Sequence, residues 1–263
     1  MPLVIATWNV NSIRARLELL LGWLRETAPD IALLQETKVT DDNFPRMEIE
    51  DLGYNLLTHG QKTYNGVAIL SRFPLEEARR ALPDSEGDDQ ARYLEAVASL
   101  PGGRAVRVAS VYVPNGQDVA SEKFPYKLRF LERLRAHLQA LRVLEETTVI
   151  GGDYNVAPYA DDVYDPVHLD GAVCYHPLER ERLRAVLHQG YYDAYRLSQP
   201  DAHEYSWWDY RAGAFQRDQG FRIDHLLLSP QAADRLVSAH IDKTLRALDK
   251  ASDHAPVLCT LDG

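Results

Sequence analysis

The chain has 263 residues, 45% of them hydrophobic, which supports a sizeable core. No linker-like tract divides it, so one domain over residues 1–263 is expected. The net charge of −10 weighs against polyanion binding, unless clustered carboxylates that hold a cation make the chain look more acidic than its working face is.

Leu3 to Ala6 reads as an apolar strand entered directly from Met1-Pro2, with no basic-then-apolar leader pattern before it. It ends in Thr7-Trp8-Asn9-Val10-Asn11-Ser12, where Asn9 and Asn11 share a side in extended geometry. Ser12 is suited to cap a helix over 13–26 with Leu17, Leu20, Leu21 and Leu24 on its apolar face. Arg14 and Arg16 fall in that helix's first turn, where the dipole disfavours cations; they are candidates for an anion contact or plain solvated surface. Ile31 to Leu34 is a second buried strand, leaving through Gln35-Glu36-Thr37-Lys38.

Short strands then follow at Tyr54 to Leu57, Val67 to Leu70, Tyr93 to Ser99 and Ala105 to Val113. Loops at 60–66, 73–90 and 101–103 separate them, which describes an antiparallel meander. The last strand presents Tyr112 and Asn115 on a turn fixed by Pro114 and Gly116. Residues 121–144 read as a long helix with Leu128, Leu131, Leu134, Leu138 and Leu141 on one face. Lys123, Tyr126, Lys127, Arg129 and Phe130 mix basic and aromatic groups near its start, a pattern that can track a nucleic-acid backbone or simply face solvent.

The chain is organised around Thr147 to Asn155. A β-branched run stops at Gly151-Gly152, where the backbone can come close to something, and Asp153 and Asn155 follow on one side. A helix at 178–188 and a short apolar segment at 191–196 come next. In Tyr205-Ser206-Trp207-Trp208-Asp209-Tyr210-Arg211 the adjacent tryptophans point to opposite faces, so one can face a cleft. Asp224 precedes a buried strand, Leu226 to Leu228, and Asp253-His254 precedes the closing strand, a credible place for metal binding and proton handling.

Several strand ends thus carry polar acceptors, and in open α/β sheets ligands gather at strand ends. The donors are oxygen-rich and free of sulfur, which suits Mg²⁺ or Mn²⁺ over Zn²⁺. No Walker-type loop or Gly-x-Ser-x-Gly elbow is present. Metal-assisted attack of water on a phosphoester fits best. No apolar run is long enough to span a bilayer, and Cys174 and Cys259 are too few for a disulfide framework, so a reduced, cytoplasmic setting is expected.

Taken in order, Trp8-Asn9-Val10-Asn11, Leu34-Gln35-Glu36-Thr37-Lys38, Tyr112-Val113-Pro114-Asn115-Gly116, Gly151-Gly152-Asp153-Tyr154-Asn155, Arg222-Ile223-Asp224 and Ser252-Asp253-His254-Ala255-Pro256-Val257 closely resemble the exonuclease III-like apurinic/apyrimidinic endonucleases. These belong to the endonuclease/exonuclease/phosphatase superfamily. Lys123-Phe124-Pro125-Tyr126-Lys127 and the aromatic segment from Ser206 look like the bacterial exonuclease III branch. The resemblance implies a four-layer α/β sandwich of the DNase I-like kind, two mixed, mostly antiparallel sheets packed face to face with helices outside.

The resemblance also implies roles. Glu36 would hold Mg²⁺, for which Mn²⁺ can substitute, with Asn9 and Asp253 nearby; Asp153, Asn155 and His254 offer a second metal position. Asp153, helped by Asn155, would orient or deprotonate the attacking water, and Asp224 would pair with His254. Tyr112, Asn115 and Asn11 would bind the phosphate, with Arg14, Lys123 and Lys127 on the DNA backbone. Trp207, Trp208, Phe221 and Ile223 would wall a pocket for a sugar that lacks its base.

The implied partner is double-stranded DNA with abasic sites or blocked 3′ ends, met by a monomer in base excision repair, nucleoid-associated through the DNA. Residues 118–122 and the acidic 84–92 depart from the family pattern, and such loops set the balance of endonuclease and exonuclease activity. A phosphatase for lipid or small-molecule phosphates and a DNA-binding protein without catalysis are the alternatives.

Overall fold

The computed structural model describes residues 2–263. Its strands are β1 (Leu3–Asn9), β2 (Ile31–Gln35), β3 (Asn55–His59), β4 (Val67–Ser71), β5 (Leu75–Arg79), β6 (Tyr93–Leu100), β7 (Arg104–Tyr112), β8 (Thr148–Asp153), β9 (Tyr192–Asp193), β10 (Asp224–Leu228), β11 (Leu236–Ile241) and β12 (Val257–Leu261). They form two six-stranded sheets, ordered β11-β12-β1-β2-β4-β3 and β5-β6-β7-β8-β10-β9.

Each sheet contains a parallel pair, β1 with β2 and β7 with β8, among antiparallel neighbours. A parallel pair needs a crossover, and a helix supplies each one: α1 (Leu17–Glu26) in the first sheet and, beyond the short α2 (Arg46–Glu50), α3 (Lys123–Arg142) in the second. Because parallel strands end on the same edge, each sheet delivers two strand exits to one rim.

Period-two side-chain alternation divides the apolar residues between layers. Ile5, Leu33, Ile69, Val108, Val149, Leu226 and Val257 fill the space between the sheets. Ala6, Leu34 and Leu70 pack outward against Leu20, Leu21 and Leu24 of α1. On the other flank, Ala109, Ile150 and Leu227 pack against Leu131, Leu134 and Leu138 of α3 and Leu183 and Val186 of α4 (Pro177–His188). The expected four layers result. Strands buried on both faces read as continuous apolar runs, which is how β2, β4 and β8 appear in the sequence.

The two glycines of β8 are steric requirements. A side chain on Gly151 would meet Leu33 Cδ1 at 2.6 Å and Leu226 Cδ2 at 2.8 Å, and one on Gly152 would overlap the carbonyl of Val111. Gly151 thus lets Leu33 of the facing sheet come close to the backbone of β8 just before Asp153.

Two sequence expectations change. The first helix begins at Leu17 rather than near Ile13, and Ser12 does not cap it. Residues 10–13 instead extend the β1–β2 pairing: the amides of Val10, Ser12 and Ile13 donate to the carbonyls of Gln35, Glu36 and Thr37. The region 73–90 is also more than a loop, since β5 pairs with β6 there. Its sequence, Leu-Glu-Glu-Ala-Arg, lies at a sheet edge and lacks the apolar signal of a central strand. Among the described residues, no helix is long and apolar enough to cross a membrane.

Candidate active site

Backbone register alone aligns half of the site. Tyr112 at the end of β7 pairs with Asp153 at the end of β8, which pairs in turn with Asp224 at the start of β10. Asp224 reaches the rim at a strand start because β10 is antiparallel to β8. In the facing sheet, Asn9 and Gln35 are partners at the ends of β1 and β2, with Glu36 following.

Asn9 joins the two sheets. Its Nδ2 donates to Glu36 Oε1 and to Asp153 Oδ2, each at 2.9 Å, and its Oδ1 accepts from the Asn11 amide at 3.0 Å. That last bond fixes which way the carboxamide points. Asn9 therefore turns nitrogen toward the carboxylates and spaces them, while its oxygen faces the Asn11 amide.

Asp153 is further held by the Asn155 amide at 2.8 Å and by Asn155 Nδ2 at 3.1 Å. Asn115 Nδ2 donates to Asn155 Oδ1 at 2.8 Å. Asn11, Glu36, Asn155 and Cys174 all adopt left-handed backbone conformations, with φ of 44°, 50°, 50° and 72°. Strain of this kind persists only where surrounding contacts over-determine it, and these four residues hold it at the rim.

His254 sits between two carboxylates. Its Nδ1 lies 2.8 Å from Asp224 Oδ2, and its Nε2 lies 3.8 Å from Asp153 Oδ2. Ser206 Oγ donates to the same Asp224 oxygen at 2.6 Å and accepts from the amides of Ile223 and Asp224. Ser206 was not singled out from sequence; its position before the tryptophan pair carries no signal without the fold.

The electrostatics follow from this crowding. Burial works against the His254 imidazolium, but Asp224 and Asp153 more than offset it and lift the group to about 10. Burial raises the Asp153 carboxyl, and Asp224 and Glu36 add to the rise while His254 opposes it. Glu36 goes the other way: burial opposes ionisation, but Lys38, 2.8 Å from its Oε2, prevails and lowers it. Burial first, then the charges of Glu36 and Asp153, push the Tyr112 hydroxyl well above its ordinary value, so it is a proton donor at neutral pH.

Glu36, Asp153 and His254 each offer a donor atom, and these atoms lie within 4.8 Å of one another. Two carboxylates at that spacing fit a hard divalent cation. Asp253, expected as a ligand, lies outside this group. Its two oxygens accept from Trp207 Nε1 and Asn11 Nδ2, each at 2.9 Å, although it lines the same cleft.

The cleft has a volume of about 410 Å³ and is lined by these polar residues together with Trp207, Phe221, Ile223 and Val173. Trp207 packs edge-on to Phe221 at 5.5 Å and pairs through its backbone with Phe221 and His254. Trp208 does not reach the cleft. As its neighbour's opposite-face partner it is fully buried against Tyr205 and Phe215, with its indole N–H on Asp218.

One of the cations expected on the DNA backbone requires correction, and another lies apart from the cleft. Lys127 is wholly buried and paired with Glu179, so it cannot meet a phosphate. Arg14 is exposed, but it precedes α1 and its guanidinium donates to the backbone and side chain of Asn43, away from the cleft. Lys123 does border the site: it lines a second cleft that shares Glu36, Tyr112, Asn115 and Gln117 with the first. Arg92 and Tyr64 lie there too, and neither stood out in the sequence.

Comparison with known proteins agrees with this geometry. Residues 6–254 match the model of the "Endonuclease/Exonuclease/phosphatase family". The chain is 34% identical over 259 residues to exodeoxyribonuclease III of Haemophilus influenzae, covering 95% of this chain and 97% of that protein. A 3′ phosphatase, NExo, from Neisseria, bound to a product DNA hairpin, superposes with a TM-score of 0.94 at 38% identity, covering 99% of this chain and 100% of that one. An AP endonuclease from Archaeoglobus fulgidus gives 0.93 at 38% identity over the same shares.

Proposed function

Because the chain belongs to the endonuclease/exonuclease/phosphatase family, we propose that it is a Mg²⁺-dependent DNA repair nuclease, with Mn²⁺ able to replace Mg²⁺. It hydrolyses the phosphodiester 5′ to abasic sites in duplex DNA, releases 3′-blocking phosphates and phosphoesters, and trims 3′ ends. We further take it to act as a single domain and a monomer, in the cytoplasm and on the nucleoid through its DNA. The observation that carries this reading is the union, in one cleft, of the Glu36 and Asp153 carboxylates and the His254 imidazole with the apolar wall of Trp207, Phe221 and Ile223.

Glu36 would supply the anionic ligand, with Asp153 beside it, and a bound divalent cation would neutralise charge building on the phosphate oxygens. His254 keeps its proton, so its Nε2 donates to a phosphate oxygen, with Asp224 and Ser206 fixing the ring. Asp153, its carboxyl raised by burial, accepts the proton of the attacking water while Asn155 holds it in line. Tyr112, Asn115 and Asn11 donate to the phosphate as its charge grows. The apolar wall receives a sugar without its base, which leaves the helix at low cost because nothing is unstacked.

A 5′-labelled duplex carrying one tetrahydrofuran abasic analogue tests the reading. Incision immediately 5′ of the analogue, dependent on Mg²⁺ and abolished by EDTA, is the expected result. No incision with either Mg²⁺ or Mn²⁺ overturns it. Faster turnover of inositol phosphates than of DNA would favour a phosphatase for small-molecule substrates instead.

A further inference from the structure

Lys127 and Glu179 form a fully buried ion pair behind the cleft, and neither side chain lines it. An ammonium has three hydrogens to donate. Lys127 places one on Glu179 Oε1, one on the Asn115 carbonyl at 3.0 Å and one on the Asn155 carbonyl at 2.7 Å. The other Glu179 oxygen accepts from the His176 amide at 3.0 Å.

Three separate segments therefore meet at this pair: the turn after β7, the turn after β8 and the loop ending at the start of α4. Each contributes to the cleft wall, through Asn115, Asn155 and Cys174. The same three side chains touch one another, with Asn115 Nδ2 2.8 Å from Asn155 Oδ1 and 3.7 Å from Cys174 Sγ. The fit is close, because a side chain on Gly116 would meet Lys127 Cδ at 3.2 Å on a backbone already at φ +91°.

We infer that Lys127 and Glu179 are positioning residues for catalysis: the pair sets the spacing of Asn115 and Asn155, and through Asn155 the orientation of Asp153. A buried charge pair is poor evidence of stability, since desolvation cancels much of the attraction, whereas one charge left alone is strongly disruptive. The arrangement is thus better suited to fixing geometry than to strengthening the fold. All three ammonium hydrogens are committed, which leaves none for a DNA phosphate.

The inference rests on the nuclease reading above, and its test separates the two. Lys127→Met/Glu179→Leu removes both charges and leaves no lone ion, and Lys127→Arg keeps a paired charge in a shape that cannot meet all three acceptors. With folding verified by circular dichroism and thermal unfolding, kcat for abasic-site incision is expected to fall about 10- to 100-fold in both variants. KM stays within about threefold, and the slope of log Kd against log salt for duplex DNA is unchanged.

Glu95→Gln is the control. It disturbs a buried network with Arg107 and His137 at a distance from the cleft and is expected to lower Tm with kcat unchanged. Wild-type kcat in both folded Lys127 variants overturns the positioning role, and so does an equal loss of kcat in Glu95→Gln. A rise in KM with a salt slope reduced by about 1 overturns it in favour of a phosphate contact. A wild-type protein that cuts no DNA overturns the nuclease reading itself.

Discussion

Replacing Asp224 with asparagine isolates the charge that governs His254. The Asp224 Oδ2 atom is 2.8 Å from His254 Nδ1, and it also accepts from Ser206 at 2.6 Å. With charge centres about 4 Å apart and an effective dielectric near 20, the attraction is roughly 4 kcal/mol, equivalent to about three pKa units. His254 is held at about 10 in the intact protein; its midpoint in the variant is then expected at roughly 7.

The sign follows from linkage. A folded-state value raised above the ordinary 6.5 stabilises fully below 6.5 and loses that contribution as pH rises through about 10. In Asp224→Asn the loss moves down to neutral pH. Imidazole NMR of the metal-free protein in EDTA reads the titration directly, and incision rates across the same pH range read its consequence. His254 of the wild type should keep its proton between pH 6 and about 9, whereas the variant should titrate near 7 and cut about 10-fold more slowly at pH 8. An unchanged His254 midpoint would refute the coupling.

Other substitutions separate site from scaffold. Trp207→Ala removes a hydrogen bond to the Asp253 carboxylate, a loss of about 1.5–3 kcal/mol. Abasic-site incision should drop roughly 10- to 100-fold with binding to intact duplex little changed; equal losses in both would make Trp207 a packing residue only. Trp208→Ala should instead cost about 3–5 kcal/mol in urea unfolding, because it empties a core position. Glu95 gives a pH signature: burial opposes its ionisation, but His137, Tyr93 and Arg107 hold it down from 4.5 to about 2. That stabilisation is complete above 4.5 and lost as pH falls toward 2, so Tm should decline over this window in the wild type and less steeply in Glu95→Gln.

The ends of the buried strands were legible in the sequence because apolar runs stop there and polar acceptors start. Asn9, Glu36, Tyr112, Asp153, Asp224 and His254 all sit at such boundaries, and the rim assembles them. What a linear reading lacks is the partner of each side chain. Lys127 looks like its basic neighbours until Glu179, 52 positions later, neutralises it. Arg14 looks poised at a helix start that the pairing of residues 10–13 with 35–37 moves to Leu17. Trp207 and Trp208 are adjacent, and only the packing of Phe215 and Tyr205 decides which is core. The edge strands β5 and β11 escaped notice because exposed strands do not need an apolar run.

The central claim is that side chains from both sheets make one cation site at their shared rim. Anomalous diffraction from crystals grown with Mn²⁺ tests it most directly. The expected result is a peak about 2.1 Å from a Glu36 oxygen, on the side facing Asp153. Saturating Mn²⁺ with no density there, or with the peak on another surface, would contradict the claim.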